Sequence, residues 1–212
     1  MGCIPSKSLL DSSHHYEDAL KHFEEHGIEI PGEVKVNLKK MLARKASVVE
    51  QTIKGIDFLM DKNKITVFNG LASFKDPTTI NIDGDKPGDI TAKNTIIATG
   101  SKPATLPFIN IDKERIITST GALDLKEIPE HLVIIGGGVI GLELGQVYKR
   151  LGSEVSVIEY ADRITPVMDS ALSRELTKVM KRQKIKFYLS HHVNNVAVSY
   201  THLRAHETEA DV

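Results

Sequence analysis

The chain has 212 residues, is 41% hydrophobic and 26% charged, and carries a net charge of -1. That balance suits a globular protein of one large or two small domains, and excludes a charge-driven claim on nucleic acid or an anionic membrane. No apolar run reaches the ~20 residues of a membrane span, no basic-then-apolar leader opens the chain, and the single cysteine excludes an intrachain disulfide. Together these favour the cytosol.

The chain opens on MGCIPSKSLL. Pro5 suits the first turn of a helix, which is expected over 5–26 and closed by Gly27. Cys3 then lies at or just before a helix N-terminus, where the dipole and Lys7 favour a thiolate; the alternative is a small buried hydrophobe. His14, His15, His22 and His26 fall on the same helix, with no convincing ligand spacing, and read as a solvated face. After a loop at Pro31-Gly32, Leu38, Met41, Leu42, Val48, Val49, Ile53, Ile56 and Leu59 recur at helical spacing and predict a second helix over 37–61.

The period then changes. Residues 64–70, 71–76, 79–85 and 89–100 read as four short strands of a meander, with turns at Asp83-Gly84 and Pro87-Gly88. The last strand ends on ATGSKP, where a Thr-Gly pair lets a ligand approach the backbone or simply makes a turn. Residues 118–130 are a connector, and a domain boundary is placed there.

Residues 131–160 carry the strongest pattern. An apolar strand, Leu132 to Ile135, leads into Gly136, Gly138 and Gly141 in GxGxxG spacing. A helical stripe follows at Ile140, Leu144, Val147, Tyr148 and Leu151, then Gly152 and a second strand ending on Glu159. Strand, glycine loop, helix, strand and an acidic residue about 20 positions on are the context that makes GxGxxG a dinucleotide fingerprint. Gly136 permits the tight turn, Gly138 lets a pyrophosphate reach the helix N-terminus, and Gly141 lets helix pack on strand. Glu159 accepts from the ribose hydroxyls and repels a 2′-phosphate, which favours NAD over NADP. Glycines present for packing alone are the alternative.

GCIPSK, ATGS, STGAL and VIIGGGVIGLELG ending in VIE, in this order, resemble the pyridine nucleotide–disulfide oxidoreductases, and within them the branch that oxidises dihydrolipoamide. The resemblance runs from residue 2 to about 198. It implies an α/β, FAD/NAD(P)-binding Rossmann-like two-domain fold with a β-meander. Residues 1–118 would belong to an FAD-binding domain lacking its own N-terminal GxGxxG, and 119–198 to the first part of an NAD-binding domain. The family motif is C-x4-C-I-P-S-K, so the resemblance makes Cys3 the flavin-proximal half of a redox-active disulfide, with its partner expected five residues upstream. It further implies that Lys7 supports the reduced flavin, that Gly70 and Ala72 approach its adenosine half, and that Thr99, Gly100 and Ser101 line it. Position 72 is often glycine in the family. Gly136, Gly137, Gly138, Val139, Ile140, Gly141, Leu142 and Glu143 would hold NAD, with Glu143 near the nicotinamide, Glu159 on the adenosine ribose and Val193 beside the adenine.

The resemblance also implies partners and place: dihydrolipoamide on lipoyl-bearing subunits of 2-oxoacid dehydrogenase complexes, a homodimer when intact, and the cytoplasm, or the mitochondrial matrix in a eukaryote. Mercuric or glutathione reductase-like sisters usually prefer NADPH and often carry valine after the second cysteine, so Ile4 and Glu159 argue against them. A non-catalytic NAD-binding module is the other alternative. The chain is expected to be truncated at both ends and inactive alone. Residues 199–212, SYTHLRAHETEADV, resemble translated sequencing-adapter DNA, lack strand or helix periodicity, and are expected to be a non-native tail.

Overall fold

A computed structural model describes residues 2–198, together with the backbone of 203–205. Its contacts divide the chain into two compact units: residues 1–48 with 103–212, and residues 49–102. Each is taken separately.

The larger unit is built on a parallel sheet of β4 (His131–Ile135), β5 (Glu154–Glu159) and β6 (Lys186–Leu189), in the order β4-β5-β6. Parallel neighbours need a crossover, and each is helical: α4 (Val139–Arg150) joins β4 to β5, and α5 (Ser170–Arg182) joins β5 to β6. β5 is the middle strand. Val155, Ser156, Val157 and Ile158 are all buried, as expected of a parallel strand covered on both faces. α5 and β6 were not singled out from the sequence. Their signals are the Asp169 cap, whose Oδ1 accepts from the Ala171 N–H at 2.7 Å, and Leu176 and Met180 four residues apart.

α4 buries more than one face. Leu142 packs with Val155, Val157, Ile164, Met180 and Ile185. Leu144, Val147, Tyr148 and Leu151 form a second core with Leu9 of α1 (Cys3–Lys21) and with Ala122 and Leu123 at α3 (Ser119–Ala122). Close approach to the sheet depends on missing side chains. A Cβ on Gly141 would meet Ile134 Cγ2 at 2.8 Å, and one on Gly145 would meet Ile134 Cδ1 at 2.8 Å. The helix is therefore clamped between α1 and the sheet, with glycines on its tightest side.

α1 begins two residues before the expected start and ends at Lys21. Gly27, with φ +71°, closes a short 3-10 turn at Glu24–His26 instead of the α-helix. The start of α2 (Leu38–Lys62) is fixed by Asn37, whose Oδ1 accepts from the Lys40 N–H at 3.0 Å. Lys45 is buried; its ammonium donates to Leu123 O at 2.7 Å and pairs with Asp124.

The smaller unit holds three antiparallel strands in meander order: β1 (Gly70–Phe74), β2 (Thr79–Gly84) and β3 (Gly88–Thr91). Four were expected. The strand read over 64–70 contributes only Gly70, because the ladder begins at the Gly70–Gly84 pair and the chain beyond Gly84 turns away towards β3. The strand read over 89–100 stops at Thr91, and 94–100 carry none. A strand exists only against a hydrogen-bonded neighbour, and among the described residues none pairs with that run. Ile96 and Ile97 are 91% and 71% exposed.

β7 (Val196–Val198) pairs with β8 (Leu203–Ala205) as an antiparallel hairpin. Three residues of the stretch expected to lack strand pattern thus take strand backbone. Main-chain pairing needs no side-chain period to form over three residues. The remainder of 199–212 lies outside the described residues.

Tyr148, 1% exposed, donates its hydroxyl to Ala122 O. Burial and the nearby Asp124 carboxylate push the phenol up to about 12, so it stays a neutral donor. Tyr148→Phe leaves that carbonyl buried and unpaired, and is expected to cost about 1–3 kcal/mol. Urea denaturation measures it; an unchanged midpoint would show that the bond carries nothing.

Candidate dinucleotide site and the cysteine helix

The site is built at the C-terminal end of β4 and β5, where parallel sheets bind ligands. Gly136 follows β4 with φ +100°, a left-handed conformation that favours glycine, and its N–H donates to Ile158 O at 2.8 Å. Gly137 is buried, and a Cβ there would lie 3.1 Å from Ile164 Cγ2. Gly138 caps α4 with φ -75° and ψ 162°, values open to any residue, and a Cβ there would meet nothing within 4 Å.

That contrast separates the three fingerprint glycines. The fold needs Gly136 for its backbone and Gly141 for its packing. It needs Gly138 for neither. What remains is the open space in front of the first turn of α4, onto which the unpaired N–H groups of that turn face. A pyrophosphate fits this place: the donors are backbone amides, the dipole end is positive, and no side chain fills the approach. Val139 and Ile140 beside it are exposed, whereas Leu142 is 3% exposed and belongs to the core.

Glu159 ends β5, and both its carboxylate oxygens are engaged. Oε2 accepts from the Gly137 N–H, and Oε1 accepts from the Ala161 N–H at 2.7 Å. The carboxylate therefore ties the glycine turn to the loop after β5. That loop returns the contact: the Thr165 N–H donates to Gly137 O at 2.8 Å. Thr165 is buried and has φ +46°, an uncommon conformation for a β-branched residue, and its hydroxyl lies 2.9 Å from that of Ser173. The sequence carries no signal for this strut. The loop after β6 is anchored to the same strand end, with the His191 N–H donating to Glu159 O at 3.1 Å. Val193, half-buried, follows two residues on. Arg163 is held by Asp162 and by Pro166 O.

The same unit brings the cysteine helix to α4. Cys3 is exposed in the first turn of α1. One turn on, Lys7 Nζ donates to Glu143 Oε1 at 2.6 Å. The buried Ser6 hydroxyl lies 3.1 Å from Cys3 O and 3.2 Å from Glu143 Oε2; its one proton serves one acceptor at a time. Lys7 and Glu143 were expected as separate contacts. They are a pair, 136 residues apart in the chain, and no local spacing reveals such a link.

The remaining expected contacts lie in the other unit. Gly70 and Ala72 belong to β1, where a Cβ on Gly70 would come within 2.5 Å of Asp83 O. Thr99, Gly100 and Ser101 are exposed and irregular, and Gly100 has φ +76°. Among the described residues no three His, Cys, Asp or Glu side chains converge as a metal site, and no helix is long and apolar enough to cross a membrane.

Two successive β-α-β units, a glycine turn and an acidic residue at the end of β5 define a dinucleotide-binding protein of the Rossmann class. Comparison with known proteins narrows this. The pyridine nucleotide-disulphide oxidoreductase family pattern matches residues 1–211, and the chain belongs to that family. It is 46% identical over 184 residues to a dihydrolipoyl dehydrogenase of Trypanosoma brucei brucei, covering 86% of this chain and 38% of that protein. It is 43% identical over 198 residues to the mitochondrial dihydrolipoyl dehydrogenase 1 of Arabidopsis thaliana, covering 92% and 39%. It is 44% identical over 201 residues to the leghemoglobin reductase of Vigna unguiculata, covering 94% and 38%. The chain thus spans about two fifths of the length of these relatives. Among solved structures, the HOCl-induced flavoprotein disulfide reductase RclA of Escherichia coli superposes with a TM-score of 0.74 at 25% identity, covering 99% of this chain and 44% of that one. A protein from Mycobacterium tuberculosis, LpdA, superposes with a TM-score of 0.82 at 23% identity, covering 97% and 45%, and shares the fold. Family membership implies FAD and NAD as cofactors.

The glycines can be tested against one another. Gly141→Ala forces a methyl into Ile134 and is expected to cost about 1–3 kcal/mol. Gly138→Ala meets nothing and should leave the unfolding free energy within about 0.5 kcal/mol of wild type, while weakening NAD binding. Calorimetric titration beside thermal melts separates the two; a Gly138→Ala chain that binds NAD normally would remove the phosphate from this loop.

Proposed function

We propose that this chain is part of an NAD-dependent flavoprotein that oxidises dihydrolipoamide, the cofactor-bearing core of a dihydrolipoyl dehydrogenase. The observation that carries it is Gly138, a glycine that neither backbone nor packing requires, placed before the α4 amides and one turn from a Glu143 held by the cysteine helix. Identities of 43–46% to dihydrolipoyl dehydrogenases support the substrate class. The assignment of residues 1–118 to FAD and 119–198 to NAD belongs to the same proposal, as do lipoyl-bearing partners, a homodimer, and a cytoplasmic or matrix location.

FAD and NAD supply the electron transfer when bound: the dithiol loses two electrons and two protons, and NAD+ leaves as NADH with one proton released. The chain's own residues position and select. Cys3, exposed at the start of α1, would supply one sulfur of a redox-active disulfide that takes the electron pair from the dithiol, and as a thiolate would pass that pair on to FAD. Lys7 and Glu143 fix the cysteine helix against the nucleotide helix. The first-turn amides of α4 would hold the pyrophosphate. Glu159 holds the glycine turn through Gly137 and Ala161, and offers its remaining lone pairs to the ribose.

Two experiments test this. In the full-length protein, Cys3→Ser is expected to abolish dihydrolipoamide oxidation while NADH still bleaches the flavin, since that half-reaction needs no disulfide. Equal loss of both in a folded, FAD-bound variant would refute the role given to Cys3. Glu159→Gln removes the charge and keeps one of the two acceptor oxygens that hold the turn, so a thermal melt beside the kinetics reports any loss of the turn itself. NAD affinity should fall about 10-fold, the worth of a charge-assisted hydrogen bond of ~1.5 kcal/mol, and the NAD:NADP ratio of kcat/KM should shrink. A ratio that does not move would return the case to an NADPH-using sister enzyme.

A further inference from the structure

At the opposite end of α4 from the glycine loop, the C-terminal turns of α1, α4 and α5 converge on a cavity of about 220 Å³. Lys21, Lys149, Arg150, Arg182 and Lys184 line it, with Glu17 as its one carboxylate. Cations commonly sit at helix C-termini, where the dipole is negative. Here they exceed what the dipoles ask for. Three helix ends of about half a charge each, together with Glu17, leave roughly two and a half of the five positive charges uncompensated.

The partners of these groups sharpen the point. Glu17 is shared between Lys21 at 2.6 Å and Arg150 at 2.9 Å. Its carboxyl is desolvated by burial, yet both cations hold its pKa below the usual range. Lys149 donates to Ser153 O at 3.2 Å. The Lys184 ammonium makes no ion pair among the described residues. Lys184 also stands at the position after α5 where glycine or asparagine is usual, with φ +62°. That backbone closes α5: the Lys184 N–H donates to Lys181 O at 2.9 Å and the Ile185 N–H to Met180 O at 3.2 Å. Glycine would make the same turn without strain, so what lysine adds at this position is its cation.

We infer that this cavity binds a compact oligophosphate, a di- or triphosphate group, at a site separate from the glycine loop. The size suits a few phosphoryl groups, and lysine and arginine donors on converging helix ends match oxygens that point in several directions. This does not rest on the function proposed above.

Inorganic triphosphate, titrated calorimetrically into the full chain, is the probe. Saturable binding is expected, undisturbed by saturating NAD. Lys184→Gln should weaken it about 10-fold. Lys178→Gln, which removes a charge from α5 outside the cavity, should change it less than twofold. Lys184→Gly is the decisive variant: it relieves the backbone, so thermal stability should rise while triphosphate affinity falls. Absence of saturable heat, displacement by NAD, equal weakening by Lys178→Gln and Lys184→Gln, or tighter binding of polyglutamate than of triphosphate would each overturn the site.

Discussion

The larger unit depends on where one carboxylate points. Glu159 ends the central strand and accepts from the Gly137 N–H and the Ala161 N–H. A buried amide left without an acceptor costs about 1–3 kcal/mol, so the glycine turn holds this shape only while the acid is there. The same group is expected to meet the ribose. On the proposed function, structure and recognition share this side chain, and a substitution at 159 would act on both. Thr165 completes the arrangement from the other side through Gly137 O, in a backbone conformation that a threonine tolerates only when its surroundings over-determine it.

α4 transmits that geometry to the cysteine. Its glycine side lies close on Ile134, and its bulky side packs on Leu9 of the cysteine helix. The Lys7–Glu143 pair sits where the two helices meet, partly exposed to solvent. An ion pair so placed adds little to stability. Its importance is positional: it sets the residue one turn after Cys3 against the residue one turn after Gly138. Ser6 adds a second contact to the same carboxylate and also reaches Cys3 O. Cys3 and the glycine loop are thus joined by a short path of side chains.

Much of this was legible in the sequence, for reasons that can be named. Periodicity and glycine spacing are local, so β4, the glycine turn, α4, β5 and the acid at 159 could be read directly. The order of motifs carried the family. What escaped was non-local. Lys7 and Glu143 gave no hint of meeting, because 136 residues separate them. Thr165 showed no glycine-like sign of its left-handed backbone. Apolar content misled at Ile96 and Ile97, where hydrophobicity suggested a strand but pairing decides one. The α1 boundary moved because a proline marks the first turn without fixing which residue opens it.

The two ends of α4 pose opposite electrostatic problems. At Gly138 the helix offers free amides and a positive dipole end, so an anion needs no charged side chain and the loop has none. At Arg150, some 18 Å away for twelve residues at 1.5 Å each, the dipole is reversed. An anion there is repelled by the backbone and is held only if side chains more than cancel the carbonyls. The chain places Lys149 and Arg150 at that end and brings Lys21 from α1, Arg182 from α5 and Lys184 from the turn after α5. The two proposed sites would therefore hold phosphate differently, one through backbone and the other through side chains. That difference would keep the sites chemically distinct, because a lysine side chain belongs only to the second and the bare backbone at Gly138 only to the first.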